Sequence, residues 1–243
     1  MQKQITEHHE VTGNIASFES MGLVDGPGIR FVVFLQGCPL RCAYCHNPEM
    51  WNLSEKKIEM TPEELLKKIL RYKPYFKDGG GVTISGGEPL MQEDFVTEVF
   101  KLCKGNGIHT CLDTSGHGDA SDELLDNTDL VILDVKELDA KRYIDLVGQK
   151  IDKFAKFLAK CQEKNKKMWL RQVIVPNYND SKVSVLRLKE FAKSLRNVEK
   201  IELLPYHDMA KKKYEKLGIP YRLKDVPPMD KEKCKQLEAL LKD

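Results

Sequence analysis

The sequence predicts an α/β fold, an incomplete TIM-like barrel of six β/α units, (β/α)6, held in a single domain. Three observations predict it. Short runs rich in β-branched and aromatic residues alternate with amphipathic windows of helical period, the pattern of a parallel sheet with helices outside it. The chain has 243 residues, one domain's worth and enough for a full core. The β-rich runs number six, too few to close an eight-stranded barrel. On pattern alone, a doubly wound open sheet meets the same alternation.

The strand runs are Phe31–Leu35, Gly81–Ser85, His109–Asp113, Leu130–Val135, Trp169–Val175 and Lys200–Leu204. Thr61-Pro62-Glu63-Glu64 announces the first helix: a cap, a first-turn proline and two acids ahead of Leu65, Leu66, Ile69 and Leu70. Further helical windows cover Gln92–Lys104, Ser121–Asp126, Ile151–Asn165 and Asp180–Leu195, with a last helix near Lys231–Leu241. No long repeat and no linker divides the chain. Residues 1–243 therefore read as one domain, with a core over about 15–218 and a C-terminal helix over about 230–242.

Composition narrows the function. A formal net charge of +2, with 31% charged residues, leaves no footprint for nucleic acid or an anionic membrane. The Lys-rich runs Lys164–Lys167 and Lys211–Lys213 read as solvated helix faces. No apolar run approaches the roughly 20 residues that span a bilayer, and Met1 to Glu10 is polar and mixed in charge, unlike a secretory signal. Seven cysteines are an odd number, clustered rather than spaced as a disulfide framework. Cys103, Cys111, Cys161 and Cys234 stand singly, where a small buried thiol is the default. The expected compartment is reducing: the cytoplasm.

The other three cysteines lie together. Cys38, Cys42 and Cys45 form a C-x3-C-x2-C loop directly after the first strand run. Three thiolates in so short a loop can converge on one metal centre. With His46 they could make a structural Cys3His zinc site, although adjacent Cys45 and His46 close awkwardly on one tetrahedral ion. A [4Fe–4S] cluster on three cysteines instead leaves one iron open to a small molecule.

Ligands of parallel α/β folds gather at the carboxyl ends of the strands, and polar residues recur there. Ser85-Gly86-Gly87-Glu88-Pro89 ends the second run, with glycines that let backbone approach a ligand closely. Asp113-Thr114 ends the third. Asp134 and Lys136 end the fourth, two apart and so on one strand face. Both aspartates sit in apolar contexts that argue against simple solvation. Arg171, within the fifth run among Leu170, Val173 and Ile174, needs an anionic partner. Tyr206-His207 follow the sixth. Gly79-Gly80-Gly81 reads as a flexible entry to a strand, and Asp25-Gly26-Pro27-Gly28 as a turn.

Read in order, Asp25-Gly26-Pro27-Gly28-Ile29-Arg30, the cysteine triplet with Tyr44 and His46-Asn47, Ser85-Gly86-Gly87-Glu88-Pro89, Cys111-Leu112-Asp113-Thr114-Ser115-Gly116, Leu133-Asp134-Val135-Lys136 and Ile201 to His207 form a pattern from about Ile15 to about Gly218. This pattern resembles the radical S-adenosylmethionine superfamily and, within it, the glycyl-radical-enzyme activases. The resemblance implies the open (β/α)6 barrel. It implies a [4Fe–4S] cluster on Cys38, Cys42 and Cys45, and S-adenosylmethionine held at Tyr44, Cys45, His46 and Asn47, at Gly86, Gly87 and Glu88, and at Asp113, Asp134, Val135, Lys136, Arg171 and His207. It also implies a monovalent cation, sodium or potassium, near Asp113, Thr114, Leu133 and Asp134, with Asp25 and His46 against a protein substrate.

The implied activity is reductive cleavage of S-adenosylmethionine to a 5′-deoxyadenosyl radical, which takes a hydrogen from a glycine Cα of a partner enzyme. Flavodoxin or ferredoxin is the implied electron donor. Activases of other glycyl radical enzymes often carry a second cysteine-rich segment. Asn47 to Ser85 contains no cysteine, which points to the branch acting on pyruvate formate-lyase. The alternatives are an activase of another glycyl radical enzyme, such as anaerobic ribonucleotide reductase, or a non-catalytic zinc-stabilised binding protein.

Overall fold

A computed structural model describes residues 11–242; the reading of Met1 to Glu10 lies outside the described residues. Strands β1 (Gly13–Gly22) and β2 (Arg30–Leu35) are followed by β3 (Ile58–Met60) and helix α1 (Pro62–Leu70). Then come β4 (Gly81–Gly86), α2 (Glu93–Gly105), β5 (His109–Thr114), α3 (Asp122–Asp126) and β6 (Leu130–Asp134). The chain continues through α4 (Ala140–Val147), α5 (Asp152–Glu163), β7 (Met168–Ile174), α6 (Lys182–Lys193), β8 (Val198–Pro205), α7 (Lys211–Leu217) and α8 (Lys231–Ala239).

All eight strands join one sheet in the order β3-β1-β2-β4-β5-β6-β7-β8. From β2 to β8 every pairing is parallel, while β1 runs antiparallel to both β2 and β3. The parallel strands follow chain order without reversal, so the sheet has no switch point of the doubly wound kind. The sheet winds one way through six strands and its end strands β3 and β8 do not pair, which is an incomplete barrel.

Each of the six expected strands is present with its ends within two residues of the expected ones. Strands β1 and β3 and helices α4 and α7 are additions to the sequence reading. The Lys211–Lys213 run does open a helix, but Lys164–Lys167 is not a helix face: Lys164 ends α5 and residues 165–167 lead into β7. Their charges are spent locally, Lys164 on Asp122 and Asp126 and Lys167 on Glu199.

Because side chains alternate along a strand, the sheet has two unlike faces. Val33, Ile84, Leu112, Val131, Leu133, Leu170 and Leu203 point outward into the main core under the helices. Cys103, Cys161 and Cys234 are buried in that core. The inner face carries a smaller cluster of Cys111, Leu130 and Ile132 with Trp169. Towards the strand tips it turns polar, with Ser85, Asp113, Asp134, Arg171 and Glu202. Edge strand β8 is guarded by α8: the Glu238 carboxylate accepts from the Leu203 N–H at 3.2 Å, and the Cys234 thiol lies 3.9 Å from the Leu203 carbonyl. Among the described residues no helix is long and apolar enough to cross a membrane.

Candidate active site

The cysteine loop begins where β2 ends, and its shape is set by backbone bonds to other segments. Gly37, with φ +100°, donates to the Met50 carbonyl at 2.9 Å, and the Cys38 N–H reaches the Trp51 carbonyl at 3.4 Å. Arg41 and Ala43 donate, at 2.8 Å each, to Val147 and Leu146 at the end of α4. The Arg41 guanidinium folds back on the Cys38 and Leu40 carbonyls, both at 2.8 Å. So braced, Cys38, Cys42 and Cys45 wall a cavity of about 290 Å³ at the strand tips.

None of the three thiols is in a disulfide. Burial, with added repulsion from nearby Glu88 and Cys42, pushes the Cys38 thiol well above the usual range. Burial also pushes Cys42 up to about 12 and raises Cys45. Thiols that cannot ionise alone, yet face one space together, suit a cationic metal centre that deprotonates its ligands. Among the described residues no three His, Cys, Asp or Glu side chains close on a single ion. The fourth member of a Cys3His set is engaged elsewhere: the His46 ring stacks on His207. The donor set fits a multi-iron cluster better than one zinc.

The loop after β4 packs against the cysteine loop, backbone on backbone. Gly87 donates to the Leu35 carbonyl at 2.8 Å and Glu88 to the Gly37 carbonyl at 2.9 Å. A Cβ on Gly86, at φ +114°, would stand 2.2 Å from the Leu35 nitrogen, and one on Gly87 would stand 2.2 Å from the Gly37 oxygen. Only glycine allows this approach. The Glu88 side chain is buried behind the cavity wall, where it accepts from Leu90 N–H at 3.1 Å, from Ser115 N–H at 3.0 Å, and from the Thr114 and Ser115 hydroxyls.

On the inner face the charged residues form one connected layer. Lys136 pairs with Asp134 at 2.6 Å and lies 5.5 Å from the Tyr44 ring centre. Burial opposes the Lys136 charge, but Asp134, Tyr44 and Cys42 hold its pKa well above the usual lysine range. Asp113 accepts from the Ser85 hydroxyl at 2.9 Å. Burial, with Asp134 nearby, pushes its pKa up to about 6, against the opposing pull of Arg171. Arg171 donates through Nε to Glu202 at 2.8 Å, lies 3.9 Å from Asp113, and donates through Nη2 to the Val24 carbonyl. That last bond brings the loop bearing Asp25 to the inner face. The Thr83 hydroxyl also donates to the Asp25 carbonyl, at 2.7 Å, and burial raises the Asp25 carboxyl.

Of the residues singled out from sequence, Cys38, Cys42, Tyr44, Cys45, His46, Asn47, Gly86, Gly87, Asp113, Thr114, Asp134, Lys136 and Arg171 line this cavity. Glu88 stands behind it. Leu133 and Val135 point into the outer core, so only their backbone is on offer. That of Val135 is already bonded, its N–H to the Arg171 carbonyl at 2.7 Å and its carbonyl to Gln172 Nε2 at 3.1 Å. His207 is exposed on the far side of His46, and Asp25 sits below Arg171. Arg171 was expected to seek an anion from a cofactor; the chain itself supplies Glu202, opposite it in the β7–β8 register. Sequence reasoning also passed over Ser85, Ser115 and Trp51 as lining residues. Ser85 and Ser115 stood inside the recognised motifs; nothing in the sequence marked Trp51.

Comparison with known proteins agrees with this geometry. The family model for the radical SAM superfamily matches residues 32–188. The pyruvate formate-lyase-activating enzyme of Clostridium pasteurianum is 54% identical over 235 residues, covering 96% of this chain and 98% of that one. Its counterpart in Staphylococcus epidermidis is 47% identical over 233 residues, covering 92% and 93%. The crystal structure of a domain of pyruvate-formate lyase-activating enzyme from Bacteroides vulgatus superposes with a TM-score of 0.54 at 26% identity, over 67% of this chain and 93% of that one. Streptococcus suis SuiB shares the fold, with a TM-score of 0.61 at 20% identity over 86% of this chain and 44% of its own. With a thiol triplet at the strand tips and near full-length relatives of one kind, the chain belongs to the radical SAM superfamily and, within it, to the family of the pyruvate formate-lyase-activating enzymes.

Proposed function

We propose that this protein activates pyruvate formate-lyase by placing a glycyl radical on it. When bound, a reduced [4Fe–4S] cluster supplies the electron that cleaves S-adenosylmethionine, and the resulting 5′-deoxyadenosyl radical takes a hydrogen from the partner's glycine Cα. The observation that carries the reading is the set of three thiols facing one cavity whose other wall is charged, with the neighbouring His46 ring stacked on His207.

The residues divide the work. Cys38, Cys42 and Cys45 hold the cluster. Gly86 and Gly87 leave room for the amino end of a methionyl group, and Glu88 holds the ends of β4 and β5 together around it. Lys136 and Arg171 offer positive charge to a carboxylate, with Asp134 and Glu202 keeping each side chain in place. Asp113 and Asp134, with the Thr114 and Leu133 carbonyls, would take a monovalent cation beside that carboxylate. Tyr44 and Asn47 border the nucleoside, and His207 backs the His46 ring at that edge. Asp25 and His46 face the protein substrate. Reduction comes from flavodoxin or ferredoxin, the compartment is the cytoplasm, and residues 1–243 act as one domain.

The test is anaerobic. Protein reconstituted with iron and sulfide, reduced with dithionite and given S-adenosylmethionine should release 5′-deoxyadenosine and methionine in equal amounts. Stoichiometric zinc, or no product from a reduced cluster, would overturn the reading.

A further inference from the structure

Trp51 belongs to two cavities at once. On one side its ring lines the site walled by the three cysteines; on the other it floors an outer groove of about 580 Å³ with Leu53, Leu217 and Ile219. One indole ring therefore stands between the cluster's space and the protein surface. Its position is tightly held. The Trp51 carbonyl accepts from Cys38 N–H, and Tyr214 meets its edge at 5.8 Å while donating to the Cys45 carbonyl at 3.1 Å. On the groove side the Arg41 guanidinium lies 4.9 Å from the ring centre.

The rim of the groove has a definite sign. Its carboxylates are answered locally, Glu49 by Lys213 at 2.6 Å and Glu55 by Lys57 at 4.0 Å. Arg41 and the adjoining Arg222, by contrast, bond only to backbone carbonyls, and neither has a carboxylate partner among the described residues. The charge left over is positive. Leu53 and Leu217 add two apolar contacts, 54% and 46% exposed. A small, wet, charge-steered patch of this kind is the sort used by transient electron-transfer partners.

We propose that this groove docks an acidic one-electron carrier protein, whose electron reaches the cluster through the Trp51 wall. The inference rests on the proposed function, since only a cluster needs the electron. In the step the carrier's reduced centre loses one electron and the cluster gains it; no atom or proton is transferred. The groove keeps the carrier on the face opposite the charged cavity, so reduction need not compete with the bound nucleotide.

The experiment compares reconstituted wild type with Leu53→Glu and Leu217→Glu, two exposed positions outside the cluster-binding machinery. Cluster reduction is followed by bleaching of its visible absorption in stopped flow, with reduced flavodoxin, reduced ferredoxin or dithionite as reductant. Expected is a fall on the order of tenfold in the carrier-driven rate, with an unchanged dithionite rate and a wild-type carrier rate that drops as salt rises. Variants that accept electrons from both carriers at wild-type rates, or a wild type that neither carrier reduces, would overturn the docking site. Failure of the proposed function shows separately, as a dithionite-reduced cluster that does not cleave S-adenosylmethionine.

Discussion

The rings of His46 and His207 stack 3.9 Å apart and 11° from parallel, with His46 Nε2 3.2 Å from the His207 carbonyl. This contact ties the cysteine loop to the segment that follows β8, at opposite ends of the parallel run of strands. Burial first, then the neighbouring His207, Lys136 and Lys213, lower the His46 pKa to about 4. The folded state therefore binds fewer protons than the unfolded chain between about pH 4 and 6.5, and the stability contributed by neutral His46 is lost as pH falls through that window. An NMR titration of cluster-free protein should find His46 neutral down to about pH 4, with its pKa moving up in His207→Ala. Titration near 6.5 in the wild type would contradict the packing.

Asp113 has the opposite sign. Its folded pKa, raised to about 6 by burial and Asp134, exceeds the unfolded value near 3.8. Its contribution is fully present below about pH 3.8 and disappears as pH rises through 6. Asp113→Asn should therefore gain stability relative to wild type on going from pH 4 to pH 7.5, read from thermal melts. A pH-independent difference would remove Asp113 as a strained carboxylate.

Glu88 tests whether a buried acid behind the cavity shapes it. Four donors converge on its two oxygens. Glu88→Gln turns one oxygen into a donor facing donors, at a cost of about 2 kcal/mol. Chemical denaturation should show that loss, and S-adenosylmethionine affinity should weaken with it. Unchanged stability would mean that the carboxylate is not the clamp described.

Gly87→Ala brings a methyl to the Gly37 carbonyl. The new methyl meets backbone, which cannot swing aside as a flexible side chain could, and the clash should cost roughly 3 kcal/mol. It should also lower the iron bound per chain on reconstitution, because the cysteine loop must give way. Full iron loading would show that the two loops move independently.

Much of this was legible before any coordinates. The six parallel strands could be read because each is apolar on its outer face, and the first four are also bounded by Gly or Asp. The site rim could be read because strand tips are where such folds bind. Strand β1 could not: its register against β2 shifts between Ile15 and Ser17 and again between Glu19 and Gly22, which erases the alternation that marks a strand. Helix α4 did carry signals, an Asp139 cap and a left-handed Gly148, but over only eight residues. The Arg171–Glu202 pair depends on which residues face each other across β7 and β8, and register is not written in either strand alone. Trp51 was out of reach for a similar reason, since its importance comes from what lies on its two sides.

The central claim is that the thiol triplet leaves one iron for S-adenosylmethionine and turns it on a glycine of pyruvate formate-lyase. The most direct measurement labels that glycine with deuterium at Cα and mixes the partner with reduced, reconstituted protein and S-adenosylmethionine. The account predicts a glycyl radical by electron paramagnetic resonance and deuterium in the released 5′-deoxyadenosine by mass spectrometry. A loaded, reduced cluster that gives neither the radical nor the label would contradict it.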